Sequence, residues 1–253
     1  MRILKSLPVF SLFAVIVAGV LLWRLPADFV YRQLHDRLAP LALAGVHGTL
    51  WQGHADSVSF SGSDLGALEW RLDPVALLGA RVAGDVRLEG SGIEAAGGII
   101  GESGILRLRD FRFSVPASRL VPSHGLATQA GGILSGVIEE ASLRGNLLQS
   151  ARGTARWSDP GIAALVGEPF PDLVAAFVSQ PDGSLAGTIH DGGEGRLAVQ
   201  GDFAITLAAF SADLVLRARD GDPELTDRLQ YIGAPQGDGS TRLQVRVPWY
   251  DPR

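Results

Sequence analysis

The sequence predicts an all-β domain: a curved antiparallel sheet, half-barrel or sandwich-like, with short helices, preceded by one N-terminal transmembrane helix. Three observations predict it. Apolar and polar residues alternate with a period of two through much of the chain. Glycine supplies 32 of 253 residues, largely between those alternating runs, where turns and bulges need it. The longest uncharged apolar run lies at the very N-terminus.

That N-terminal run sets the compartment. Met1-Arg2-Ile3-Leu4-Lys5 is a short basic start, and Leu7 to Trp23 follows without a charge. About 17–25 apolar residues cross the hydrocarbon as a helix, and the run meets the lower end of that range. Trp23 and Arg24 sit where interfacial anchors belong, and Arg2 and Lys5 place the N-terminus in the cytoplasm. A cleaved signal has a shorter apolar core and a small-residue exit, whereas this run leaves through Trp23-Arg24-Leu25-Pro26-Ala27. The expected organisation is therefore 1–25 as cytoplasmic start and anchor, 26–44 as a juxtamembrane amphipathic helix, and 45–253 as a periplasmic β domain. The expected location is a membrane crossed once, with the N-terminus cytoplasmic and the β domain on the far side.

Within 26–44, Phe29, Leu34, Leu38 and Leu41 recur at roughly helical spacing. Beyond it, Leu68, Trp70 and Leu72 alternate with polar residues, as do Val82, Val86 and Leu88. Leu197, Val199, Phe203 and Ile205 form another such run, and Leu243, Val245 and Val247 close the series. Each buries one face and wets the other, the signature of antiparallel sheet. In 106–113 the apolar parity flips near Asp110, which a one-residue bulge explains.

Three segments interrupt the alternation, opening on Asp73-Pro74, Asp159-Pro160 and Asp222-Pro223. Aspartate caps the free amides of a first turn, and proline at the first helical position loses no hydrogen bond. Glycines at 79, 167 and 233 permit left-handed stops. Three short helices are expected. Trp70 and Trp157 precede the first two, which suggests either a degenerate duplication (45–145 and 146–253) or recurrence of common capping chemistry. Trp51, Trp70 and Trp157 are the candidates for packing or partner contact, with packing the commoner role for such large rings.

Composition excludes much chemistry. There is no cysteine, so thiolate metal sites, iron–sulfur clusters and cysteine nucleophiles are out. Lys5 is the sole lysine, which removes phosphate loops and Schiff-base enzymes from the folded part. The net charge of −5 becomes −7 once Arg2 and Lys5 are set aside, so neither nucleic acid nor anionic lipid is attracted electrostatically. His35, His47, His54, His124 and His190 offer no pair at a helical or hairpin ligand spacing; His47 and His54 flank Trp51, where a metal or base reading competes with the commoner surface or turn histidine, and no metal or cofactor is expected. Gly101-Glu102-Ser103-Gly104 lacks the spacing of a nucleophile elbow. Glu139-Glu140 would point to opposite faces of a strand unless a bulge intervenes. No catalytic residue is assigned.

Several segments together resemble the protein N family of the bacterial type II (general) secretion pathway. They are Gly48-Thr49-Leu50-Trp51-Gln52-Gly53, Leu68-Glu69-Trp70-Arg71-Leu72-Asp73-Pro74, Leu77-Leu78-Gly79, Leu229-Gln230-Tyr231-Ile232-Gly233 and Gly239-Ser240-Thr241-Arg242-Leu243. The resemblance implies a bitopic inner-membrane accessory or assembly component without catalytic residues, whose partners are other type II secretion components. A more distant likeness is to AsmA-like periplasmic proteins. It implies instead a module that binds or transports lipid or another hydrophobic ligand, and leaves lipid contact open.

Overall fold

Period-two alternation becomes strand almost wherever the sequence shows it. The computed structural model describes residues 24–38, 40–60, 62–119, 131–145, 147–161, 169–206 and 208–248. The anchor expected over 7–23 lies outside these residues, as does the segment 162–168 expected to hold the second short helix. Among the described residues no helix is long and apolar enough to cross a membrane.

The chain divides into two compact units. The first takes the residues up to Ser91 and Ile99–Glu102; the second takes Gly92–Gly98 and the residues from Ser103 onward.

In the first unit, helix α1 (Ala27–Leu38) leads into a meander of β1 (Leu41–Gly48), β2 (Gln52–Phe60), β3 (Ser63–Leu72) and β4 (Arg81–Gly90). All neighbours are antiparallel. The helix expected to reach Leu43 stops at Leu38, ahead of Pro40, because residues 41–44 pair with β2 instead. Its buried side also differs from the expected stripe. Ala27 is buried and Tyr31 half-buried, with the Tyr31 hydroxyl accepting from Leu43 N at 2.9 Å, whereas Phe29 and Leu34 are exposed. Between β3 and β4 the Asp73-Pro74 signal is read as expected at its start. Asp73 accepts from Val75 N at 2.9 Å and caps a 3₁₀ helix over Pro74–Gly79. The left-handed stop falls on Ala80 (φ 55°) rather than on Gly79.

Strand β5 (Ile93–Glu102) contributes residues to both units. In the second, β6 (Ile105–Pro116), β7 (Ile133–Arg144), β8 (Leu147–Ser158), β9 (Leu173–Ser179), β10 (Leu185–Asp191), β11 (Leu197–Ile205) and β12 (Ala209–Ala218) pair in sequence order. Helix α2 (Pro223–Gln230) and the two-residue β13 (Ala234–Pro235) follow, and β14 (Thr241–Pro248) inserts between β12 and β13. Within each unit the strands make one hydrogen-bonded sheet, not the two stacked sheets of a sandwich. The outermost strands of neither unit pair with each other.

The core of the second unit forms where α2 covers the sheet. Asp222 accepts from Glu224 N and Leu225 N, Pro223 opens the first turn, and Leu225 and Leu229 face inward one turn apart. They meet Leu197, Val199 and Leu216, all nearly inaccessible. Burial of each such leucine or valine contributes about 1.5–3 kcal/mol. The expected left-handed glycine after this helix is not used, since Tyr231 ends it in right-handed conformation. Gly233 is required for another reason: a Cβ there would sit 2.5 Å from the Arg242 carbonyl oxygen.

Asp159 departs from the capping expectation. Its φ of 47° is left-handed, not the extended backbone of an N-cap, and its N–H donates to Asp172 Oδ1 at 3.1 Å. The parity flip near Asp110 also has a different origin. Asp110 itself turns left-handed (φ 47°), while the register with β7 is unbroken on either side of it. The bulge lies one strand over, at Glu139, where β7 slips against β8. That slip lets Glu139 and Glu140 both reach Arg152, at 3.4 and 3.6 Å, so the pair is an exposed ionic cluster.

Candidate functional site

The segment Gly48–Gly53 forms the tip of the β1–β2 hairpin, and hydrogen bonds fix it on several sides. Gly48 takes φ 86°, and a Cβ there would lie 2.6 Å from Gln52 O, so the tight turn needs glycine. Thr49 N donates to Gln52 O at 2.9 Å, and Gln52 N returns a bond to Thr49 Oγ1 at 3.2 Å. Leu50 N donates to Leu25 O at 2.9 Å, and Thr49 bridges to Pro26. Leu72 N donates to Trp51 O at 2.7 Å, and the Trp70 indole N–H donates to Leu50 O at 3.1 Å. The residues that enter α1 are thus tied to the hairpin tip, and the tip to the end of β3.

The three candidate tryptophans divide by burial. Trp51 is 8% exposed and packs inside the first unit. Trp70 is half-buried over Gly53. Trp157, in the second unit, is half-buried and donates its indole N–H to Gly131 O at 2.9 Å. Trp70 and Trp157 therefore do the same job, each satisfying its one polar atom on a loop carbonyl while the ring packs against sheet.

One constellation becomes visible only through the register. His47 and His54 face each other directly across β1 and β2, with ring centroids 5.1 Å apart. This corrects the expectation that no histidine pair has hairpin spacing. Asp56, two residues along β2 on the same face, brings Oδ2 to 3.6 Å from His47 Nε2 and Oδ1 to 3.5 Å from His54 Nε2. Centring the turn on Leu50-Trp51, between Gly48 and Gly53, would have disclosed the pair. At the start of α1, Arg32 holds the Asp28 carboxyl below the usual carboxylate range through its hydrogen bond and its charge.

In the second unit an open cleft of about 430 Å³ is lined by Asp202, Ala204, Ser211, Asp213, Gln244 and Arg246 on one face of β11, β12 and β14, with the backbone of Phe203, Ala212 and Val245 between them. Asp213 accepts from Arg242 Nε at 2.7 Å and from Gln244 Nε2 at 3.0 Å. These bonds lower its pKa from 3.8 to about 2.

Fold and site together define an antiparallel β-meander protein whose entry segment is stitched to a glycine-flanked hairpin tip. A family model for the type II secretion system (T2SS), protein N, matches residues 39–244, and the chain belongs to that family, a component of type II secretion. The type II secretion system protein N of Vibrio cholerae serotype O1 is 29% identical over 210 residues, covering 79% of this chain and 81% of that protein. The type II secretion system protein N of Aeromonas hydrophila is 36% identical over 110 residues, 42% of each chain. No solved structure matches.

Proposed function

We propose that the chain is a non-catalytic accessory or assembly component of the type II secretion system. In this reading the apolar run at 7–23 holds it in the inner membrane, with the N-terminus cytoplasmic and the β domain in the periplasm. The observation that carries the reading is the family match over 39–244, which takes in the Gly48–Gly53 tip. The bonds from Leu25 and Pro26 to that tip support it further. They would make the junction with an anchor stiff, so that the domain keeps one orientation towards neighbouring secretion proteins. Its partners are other type II secretion components.

In-cell photocrosslinking from Gln52 and Arg71 tests this. Both are exposed and flank the tip, whereas Trp51 is too buried to report on partners. Attachment to another secretion component is the expected result. Attachment to unrelated proteins alone would refute it.

The more distant sequence likeness offers a second reading, a lipid or hydrophobic-ligand module like the AsmA-like proteins. Gently purified protein that carries no lipid in native mass spectrometry would dismiss that reading and leave the first intact.

A further inference from the structure

We propose that His47, His54 and Asp56 form a binding site for a divalent transition-metal ion of the zinc class, clamping the β1–β2 hairpin beside α1. The inference is independent of the secretion role. It rests on donor placement. The hairpin register puts the two imidazoles at directly opposed positions, and the period of two puts Asp56 on the same face one step further along β2. The three potential donor atoms all lie within 4.8 Å of one another. A tetrahedral ion with bonds of about 2.0–2.1 Å holds its ligand atoms about 3.3 Å apart. Each Nε2 stands within a few tenths of an ångström of that spacing from one oxygen of the same carboxylate, His47 from Oδ2 at 3.6 Å and His54 from Oδ1 at 3.5 Å, so either oxygen, or both, can face the ion.

The backbone makes room for this arrangement. Gly45 occupies the position across from Asp56, with φ 62°, and a Cβ there would overlap the Asp56 carboxylate. Glycine thus lets the carboxylate lie over β1 and turn towards the imidazoles. The donor set selects the metal class. Two imidazoles and one carboxylate suit zinc and its first-row neighbours, whereas calcium and magnesium prefer oxygen throughout. All three side chains are more than half exposed, so an ion can enter from solvent and keep water in its remaining position. Because one histidine comes from each strand, the ion would hold the hairpin closed next to the tip that Leu25 and Trp70 pin.

The test is equilibrium dialysis of the detergent-solubilised full chain, carrying no polyhistidine tag, against zinc alone. One saturable zinc per chain at micromolar concentration is expected. His47→Gln, His54→Gln and Asp56→Asn should each weaken it at least about 10-fold, and His190→Gln, in the other unit, should not. Cobalt should give the intense visible bands of a four-coordinate site, lost in the double variant His47→Gln/His54→Gln. Since these groups are exposed, metal-free melting of the variants should match the parent, which separates loss of ligands from loss of fold. Absence of saturable zinc uptake, or uptake that persists unchanged in the double variant, would overturn the proposal and leave the cluster as a histidine–aspartate ionic clasp.

Discussion

Gly53 lies directly opposite Trp70 on the neighbouring strand, and a Cβ at position 53 would sit 2.5 Å from Trp70 Cζ2. The indole covers the bare backbone of the glycine. The same relationship recurs in the second unit: Phe113 covers Gly136, Phe177 covers Gly153, and Phe203 covers Gly187, each pair in register. An aromatic ring laid over a cross-strand glycine supplies packing that a single-layered sheet otherwise lacks. Many of the in-strand glycines therefore serve as seats for rings and not as loosened strand.

Gly53→Ala should destabilise the first unit by about 1–3 kcal/mol, because the added methyl also meets the His47 carbonyl oxygen and neither neighbour can yield freely. Chemical denaturation followed by tryptophan fluorescence measures this, and an unchanged midpoint would show that the ring does not rest on residue 53.

Trp70→Ala should cost about 3–5 kcal/mol through loss of packing. Trp70→Phe should cost less, about 1 kcal/mol, since it keeps a ring over Gly53 and forfeits the bond to Leu50 O. Thermal melting of the two variants side by side checks the order; equal losses would mean that the hydrogen bond, not the ring, matters.

Leu229 and Leu78 make a contrasting pair. Leu229→Ala should destabilise by about 2–5 kcal/mol, because Leu229 is fully buried on the inward face of α2. Leu78→Ala should stay within about 0.5 kcal/mol, since Leu78 is 90% exposed. Loss of the Asp222 cap by Asp222→Ala should add a cost near 1 kcal/mol in the second unit.

Acid should weaken the β12–β14 pairing. Arg242 and Gln244 hold Asp213 at about 2, below its ordinary 3.8. A carboxylate lowered by folding stabilises the native state above its unfolded pKa, and that contribution is lost as pH falls from 3.8 through 2. Asp191 shifts in the same direction: burial works to raise it, but the Val199 and Gly193 amides and Arg219 outweigh burial. Denaturation midpoints measured between pH 5 and 2 should fall with acidity, and Asp213→Asn should flatten part of that fall. A variant with the parent's full acid dependence would refute this account.

How much of this was legible beforehand depends on the range of the forces involved. Strands such as Leu197–Ile205 and Thr241–Pro248 follow from local alternation, and the Asp73 and Asp222 caps follow from first-turn chemistry, so sequence suffices for them. The end of α1 is not legible locally, because residues 41–44 continue an apolar face while cross-strand pairing with residues 57–60 claims them for β1. Parity along one strand points to Asp110, whereas the slip resides in how β7 meets β8, a pairing that no single strand displays. The same holds for His47 and His54: sequence shows them flanking Trp51, but their direct opposition is a property of register, which depends on where the turn is centred. Ring size alone favours packing for Trp51, Trp70 and Trp157 alike; that Trp51 is the most buried of them depends on how the hairpin tip meets the end of β3.

The central claim, a working part in type II secretion, is tested most directly by deleting the chromosomal gene and measuring two quantities together: exoprotein in the culture supernatant and cellular levels of the other secretion components. The account predicts loss of exoprotein or of those components, restored by the parent gene but not by a variant whose hairpin tip is disrupted at Gly48 and Gly53. Unchanged secretion with unchanged component levels in the deletion strain would contradict it.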